Sequence, residues 1–227
     1  MQRVSIFVDG ANMYYAQKKL GWYIDFRKVL QFFGHDAGNA ISEAYYYTGA
    51  DTQAKNRDNA FHDYLMHAGY TVRTKTIKQM VDDTTGEIVE KANLDIELVI
   101  DMFNTVELYD TCILMSGDSD FERALELVRS RGKRIAVIAQ PEMTARELRN
   151  VAGRNYFDLR EMEKQLARTD RLPDAAGAAP MASSSGAAAR PEPEIEIDIQ
   201  HSVISAGSVS AGSPLWRGAI VAQTQAR

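Results

Sequence analysis

Over the first 160 or so residues, short and mostly continuous apolar runs alternate with stretches in which apolar positions recur every three to four residues. The runs at residues 4–8, 41–48, 70–77, 111–115 and 134–138, with a short sixth at 156–159, read as strands. Helical spacing occupies residues 12–20, 26–33, 56–68, 94–107, 121–131 and 144–152. Several of these segments run into a glycine (Gly21, Gly34, Gly69, Gly132), the residue that most readily takes the left-handed conformation closing a helix. Strands buried on both faces, each followed by a helix, predict an α/β domain: a mostly parallel central sheet between two helical layers. One segment breaks the alternation. Residues 80–89 carry Asp82, Asp83, Thr84, Thr85 and Gly86, a hairpin turn inserted ahead of the helix at 94–107. There is no internal repeat.

Composition separates this domain from the C-terminal segment. Five of the six prolines lie after residue 172, in a stretch dominated by Ala, Gly and Ser with a single aromatic, Trp216. Too little apolar volume is present there to offset the entropy of ordering the chain, so residues 172–227 are expected to form a disordered tail behind a domain at 1–165. Within the tail, Glu194 to Ile199 alternates acid and isoleucine, a pattern able to add a strand to a partner's sheet edge, although a solvated acidic linker is the favoured reading. At 45% hydrophobic and 25% charged residues, the chain has the material for a packed core, which excludes a collagen-like or wholly disordered protein. No apolar run reaches the roughly 18 residues of a membrane span, and no secretory leader pattern precedes the first strand. The lone cysteine, Cys112, excludes a disulfide framework or a cysteine-built zinc site and suits a reducing cytoplasm; it reads as a small core residue. Net charge is −5; without the tail's three arginines and five acids, 23 basic and 26 acidic side chains remain. Attraction to a polyanion would therefore have to be local or bridged by cations.

The chemistry is suggested by two strand ends. In open α/β sheets, ligands bind beyond the carboxyl ends of the strands, where the strand order reverses. The first strand exits into Asp9, Gly10, Ala11 and Asn12, and the fourth into Ser116, Gly117, Asp118, Ser119 and Asp120. If these strands are neighbours, Asp9, Asp118 and Asp120 converge, and their repulsion calls for a cation. Oxygen donors without histidine favour Mg²⁺ or Mn²⁺ over zinc. Asp120 also fits an ordinary N-cap of the helix at 121–131, whereas Asp9, directly after Ile6, Phe7 and Val8, is harder to explain as a structural residue. Asp95 adds a fourth acid, at the start of a helix whose apolar residues (Leu94, Ile96, Leu98, Val99, Met102, Phe103) wrap so broadly that the helix is expected to be buried. Asp101 lies on another face of that helix and is expected to be structural or supporting.

These residues also carry a resemblance. The segments IFVDGANMYY, KANLDIELVIDM and ILMSGDSDFERALELVRSRGKRIAVI, in that order, resemble the NYN domain of LabA-like proteins, within the PIN-like nuclease superfamily. The resemblance spans roughly residues 1–160. It implies a PIN-like, Rossmann-like three-layer sandwich and metal-dependent cleavage of RNA, with endonucleolytic cleavage the favoured mode. Its acidic site falls on Asp9, Asp95, Asp118 and Asp120, as catalytic residues and as ligands of Mg²⁺ or Mn²⁺; Asn12, Ser116 and Lys91 match positions around the motif. On this reading Asn12 orients water or phosphate and Ser116 fixes a ligand carboxylate by a hydrogen bond. Lys55, Arg57, Lys75, Lys78, Lys91 and Arg123 are candidate contacts to the RNA backbone, most of them equally explicable as solvated surface, and Tyr14 or Tyr15 offers a stacking face for an unpaired base. RNA is the partner implied; a protein partner through the tail and homo-oligomer formation are left open.

Rival readings are weaker. A phosphohydrolase of the Asp-x-Asp type lacks its pair, since Asp9 is followed by Gly10 and Ala11, and a lone Gly10 is not a dinucleotide-binding turn. His62 and His67, five residues apart, do not share the helical spacing of a metal pair. The alternative that stands is a regulatory scaffold of the same fold, binding RNA or protein and cleaving little, because an acidic set denotes capacity and not turnover.

Overall fold

The computed structural model describes residues 1–50, 55–76, 78–81, 88–91 and 94–169, with residues 50, 55–58, 76, 78–81 and 88–91 described by their backbone only. The chain divides into two units, Met1–Ser183 and Ser184–Arg227. The second, and with it the expected tail and its acid–isoleucine stretch, lies outside the described residues.

The first unit holds a six-stranded, wholly parallel sheet and a separate two-stranded ribbon. In chain order the elements are β1 (Arg3–Asp9), α1 (Gly10–Leu20), α2 (Phe26–Phe33), β2 (Ala40–Ala50), α3 (Lys55–Ala68), β3 (Thr71–Thr76), β4 (Lys78–Val81), β5 (Ile88–Lys91), α4 (Asp95–Asn104), β6 (Thr111–Met115), α5 (Glu122–Ser130), β7 (Arg134–Ala139), α6 (Arg146–Ala152), β8 (Tyr156–Asp158) and α7 (Glu163–Leu166). The sheet order is β3-β2-β1-β6-β7-β8, so the order reverses between β1 and β6. These two strands pair directly, with Val8 opposite Met115, which brings Asp9 and Ser116 out at neighbouring strand ends.

Alternation along β1 distributes its side chains to the two faces. Phe7 joins Cys112 and Leu114 of β6, Leu98 and Met102 of α4, Leu125 and Val128 of α5 and Leu148 of α6 in one core. Val4, Ile6 and Val8 are fully buried on the other side. Phe26, Tyr46 and Tyr70 pack edge to face, and Tyr70 donates a hydrogen bond to the Phe26 carbonyl at 3.1 Å. Cys112 is fully buried, and burial pushes its thiol pKa up, as a core residue requires.

β4 pairs antiparallel with β5, with Val81 opposite Ile88; the expected turn between them, residues 82–87, lies outside the described residues. The structure corrects three local expectations. The helix expected to run to residue 107 stops at Asn104 and gives way to a 3₁₀ turn over Val106–Leu108. It is also not buried all round: Leu98 and Met102 face the core, but Ile96 and Ile100 are at least half exposed, because the sheet and α5 cover only one side. Of the four glycines expected in left-handed conformation, Gly21, Gly69 and Gly132 adopt it and Gly34 does not, its φ being −94°.

Candidate functional site

Asp9 ends β1 and caps α1. Its Oδ1 accepts the Asn12 backbone N–H at 3.0 Å, and its Oδ2 accepts the Ser116 hydroxyl at 2.9 Å. Only 8% of Asp9 is exposed. Burial raises its pKa above the usual carboxylate range against the pull of those two hydrogen bonds, and the Asp118 charge adds to the rise. Ser116 serves both acids: while donating to Asp9, its Oγ accepts the Asp118 backbone N–H at 3.2 Å. Asn12 completes the join, its Oδ1 accepting the Gly117 N–H at 3.1 Å. The first turn of α1 is thus bolted to the loop that leaves β6.

That loop has no spare room. A Cβ on Gly117 would lie 2.3 Å from the Met143 carbonyl oxygen, and the Gly117 carbonyl itself accepts the Ala145 N–H at 3.1 Å. A Cβ on Gly10 would lie 2.5 Å from the Tyr47 carbonyl oxygen. Glycine at both strand exits is therefore a requirement of close packing.

The cap after β6 differs from expectation. A 3₁₀ turn over Ser119–Phe121 precedes α5, and Asp118 caps it by accepting the Asp120 N–H at 3.0 Å. The extra turn moves the capping position back by two residues, so Asp120 is not the cap, and Asp120 is exposed. Asp95 arrives from the first turn of α4, where the helix dipole favours a negative charge. One carboxylate oxygen from each of Asp95, Asp118 and Asp120 lies within 4.8 Å of the others. Among the described residues this is the acidic cluster that could hold a metal ion. Its donors are all hard oxygens, the set that suits Mg²⁺ or Mn²⁺.

The remaining candidates separate. Asp101 holds α4 to the sheet: its Oδ2 accepts the Tyr47 hydroxyl and the Arg73 Nε–H, each at 3.0 Å. Arg123 pairs with Glu126 at 2.8 Å on the exposed face of α5, and Lys75 pairs with Glu97 at 2.8 Å. Lys91 and Lys78 are register partners across the β4–β5 ribbon. Their side chains, and those of Lys55 and Arg57, lie outside what is described. His67 donates to the Asp63 carbonyl within its own helix. Sequence reasoning missed the loop at Pro141–Met143, which packs its Met143 carbonyl against Gly117 and sends Glu142 to Lys19 of α1 at 2.6 Å. The only local signal was its position at the carboxyl end of a parallel strand.

Comparison with known families matches residues 3–160 to the NYN domain. A curated relative, the low amplitude and bright protein LabA of Synechococcus elongatus, is 48% identical over 170 residues, covering 74% of this chain and 90% of LabA. A solved protein of unknown function from Vibrio parahaemolyticus is similar in fold, with a TM-score of 0.60 at 22% identity, covering 74% of this chain and 96% of that one.

Proposed function

We propose that this chain, which belongs to the NYN domain family, is a metal-dependent ribonuclease that hydrolyses RNA phosphodiesters at the crevice between β1 and β6. The observation that carries this reading is the gathering of Asp95, Asp118 and Asp120 at the point where the strand order reverses. Three carboxylates from two separate elements repel one another at such distances, and a hard cation is the ordinary remedy. Asp95, Asp118 and Asp120 would hold Mg²⁺ or Mn²⁺ there. When bound, the metal supplies an activated water and neutralises charge developing on the phosphate.

The protein's own groups supply position. Asp9, outside the cluster of three acids, accepts the Ser116 hydroxyl, whose Oγ in turn accepts the Asp118 backbone N–H. Asn12, expected to orient water or phosphate, spends its carbonyl oxygen on Gly117. Its contribution is to keep the acid-bearing loop in register, with its amide NH₂ the group left to turn toward a ligand. Arg123 is placed on α5 just beyond the same loop, within its pair to Glu126, where an RNA phosphate would have to compete with that carboxylate.

The test is cleavage of end-labelled RNA by the full chain. Cleavage is expected with Mg²⁺ or Mn²⁺ and not with EDTA, and Asp118→Asn is expected to lower the rate by about a hundredfold or more. If the wild type cleaves neither single-stranded nor structured RNA with either metal, the reading is wrong. Equal cleavage by the variant would identify the activity as a contaminant's.

A further inference from the structure

The exposed face of α1 carries a set of side chains that neither the core nor the acidic cluster uses. Met13, Ala16 and Gln17 turn inward, leaving Tyr14, Tyr15, Lys18 and Lys19 on the outer side. The Lys18 ammonium lies 4.5 Å from the centre of the Tyr14 ring, and the Tyr14 and Tyr15 rings meet edge to face at 5.4 Å. Tyr23 follows three residues past the end of the helix. A hydrogen bond with Tyr14 raises the Lys18 pKa above its ordinary value. Tyr15 is 38% exposed and Tyr23 46%, so part of each ring is open to a ligand.

Two contacts connect this surface to the crevice. The helix starts at Gly10, the residue after Asp9, and its first turn is bonded to the β6 exit loop through Asn12 and Gly117. Its last turn is gripped by Glu142, whose neighbour Met143 packs on Gly117. The first turn of α1 is therefore tied to the loop that carries Asp118 and Asp120, and its last turn to the loop after β7. Eleven residues at about 1.5 Å each give the helix a length of about 16 Å, room for about four stacked nucleotides at about 3.4 Å each.

We propose that Tyr14, Tyr15 and Tyr23, with Lys18 among them, form a platform that binds unpaired nucleotides of single-stranded RNA flanking the cleavage crevice. This deepens the ribonuclease reading and rests on it for the identity of the ligand. Exposed aromatic faces interleaved with cations suit a single strand, whose bases are free to stack while lysines meet its phosphates. A duplex hides its base faces and would gain only from the lysines. The mild negative charge of the chain fits as well, since stacking does not depend on a basic surface.

The experiment measures binding apart from cleavage. Fluorescence anisotropy of a labelled oligouridylate of about a dozen residues, with the full chain in EDTA, gives the affinity. Tyr15→Ala and Tyr23→Ala are each expected to weaken binding about fivefold or more, with unchanged melting temperature. Lys18→Gln is expected to weaken it less and to flatten its salt dependence. A blunt RNA duplex of equal length should bind more weakly than the single strand. The proposal is overturned if the tyrosine variants bind the oligouridylate as the wild type does, or if the duplex binds as tightly. It is overturned also if the variants instead abolish a self-association of the wild type, which would make the face an interface between copies of the chain. A wild type that binds through the tyrosines but cleaves nothing would leave the platform standing and remove the ribonuclease reading alone; cleavage with no effect of the tyrosines would do the reverse.

Discussion

At the residue scale, the site consists of acids whose oxygens are held and glycines that let the backbone come close enough to hold them. Asp9 is buried, electrostatically costly and bonded on both oxygens, whereas Asp120 is exposed within a short turn. Asp118 is as buried as Asp9 and Asp95 is half-buried, so among these four acids Asp120 is the one open to solvent. The tightest point is Gly117, where a methyl group would lie 2.3 Å from the Met143 carbonyl. Neither backbone segment can yield without disturbing the Asn12 and Ala145 hydrogen bonds to the same residue. Gly117→Ala is therefore expected to cost about 1–3 kcal/mol, read by urea denaturation, as overpacked interiors do. An unchanged denaturation midpoint would mean that the loop relaxes freely and does not hold Asp118 in place.

At the element scale, much of the architecture was legible in the sequence. Short continuous apolar runs bounded by turn residues fit strands covered on both faces, and Asp9 and Ser116 were marked as strand exits because polar residues follow those runs immediately. The direct pairing of β1 with β6 was not legible, since a hundred residues separate them and periodicity carries no information on which strands adjoin. The exposure of Ile96 and Ile100 escaped for the same kind of reason, since it depends on how many layers cover α4. The structural role expected of Asp101 holds, but its partners, Tyr47 and Arg73 on distant strands, were not legible. The capping role of Asp118 was hidden by a 3₁₀ turn that has no periodic signature.

The start of β1 is fastened to the residue before β6 by Arg3 and Asp110, whose carboxylate accepts the Arg3 backbone N–H at 2.9 Å and its guanidinium at 2.8 Å. Arg3 holds the Asp110 pKa down to about 2. A carboxylate depressed in the folded state adds stability that is present above its unfolded pKa of about 3.9 and disappears as pH falls through about 2. The pair is exposed, so salt screens it and the contribution is small. The stability difference between wild type and Asp110→Asn is expected to shrink between about pH 4 and pH 2, and to shrink with added salt at neutral pH. A difference independent of both would show that the bonds to Arg3 act through geometry and not through charge.

At the scale of the whole molecule, the parallel sheet places one strand exit beside another and the helices deliver the rest. Asp95 comes from the start of α4, Asp118 and Asp120 from the loop after β6, and α1 crosses from Asp9 to the loop after β7. Among the described residues no helix is long and apolar enough to cross a membrane. The proposed chemistry depends on those three acids forming one metal site. Calorimetric titration of Mn²⁺ into the full chain tests this most directly, with Asp118→Asn beside the wild type. Saturable binding by the wild type is predicted, weakened by at least about tenfold in the variant. Indistinguishable Mn²⁺ affinities in the two proteins, or no binding to either, would contradict it.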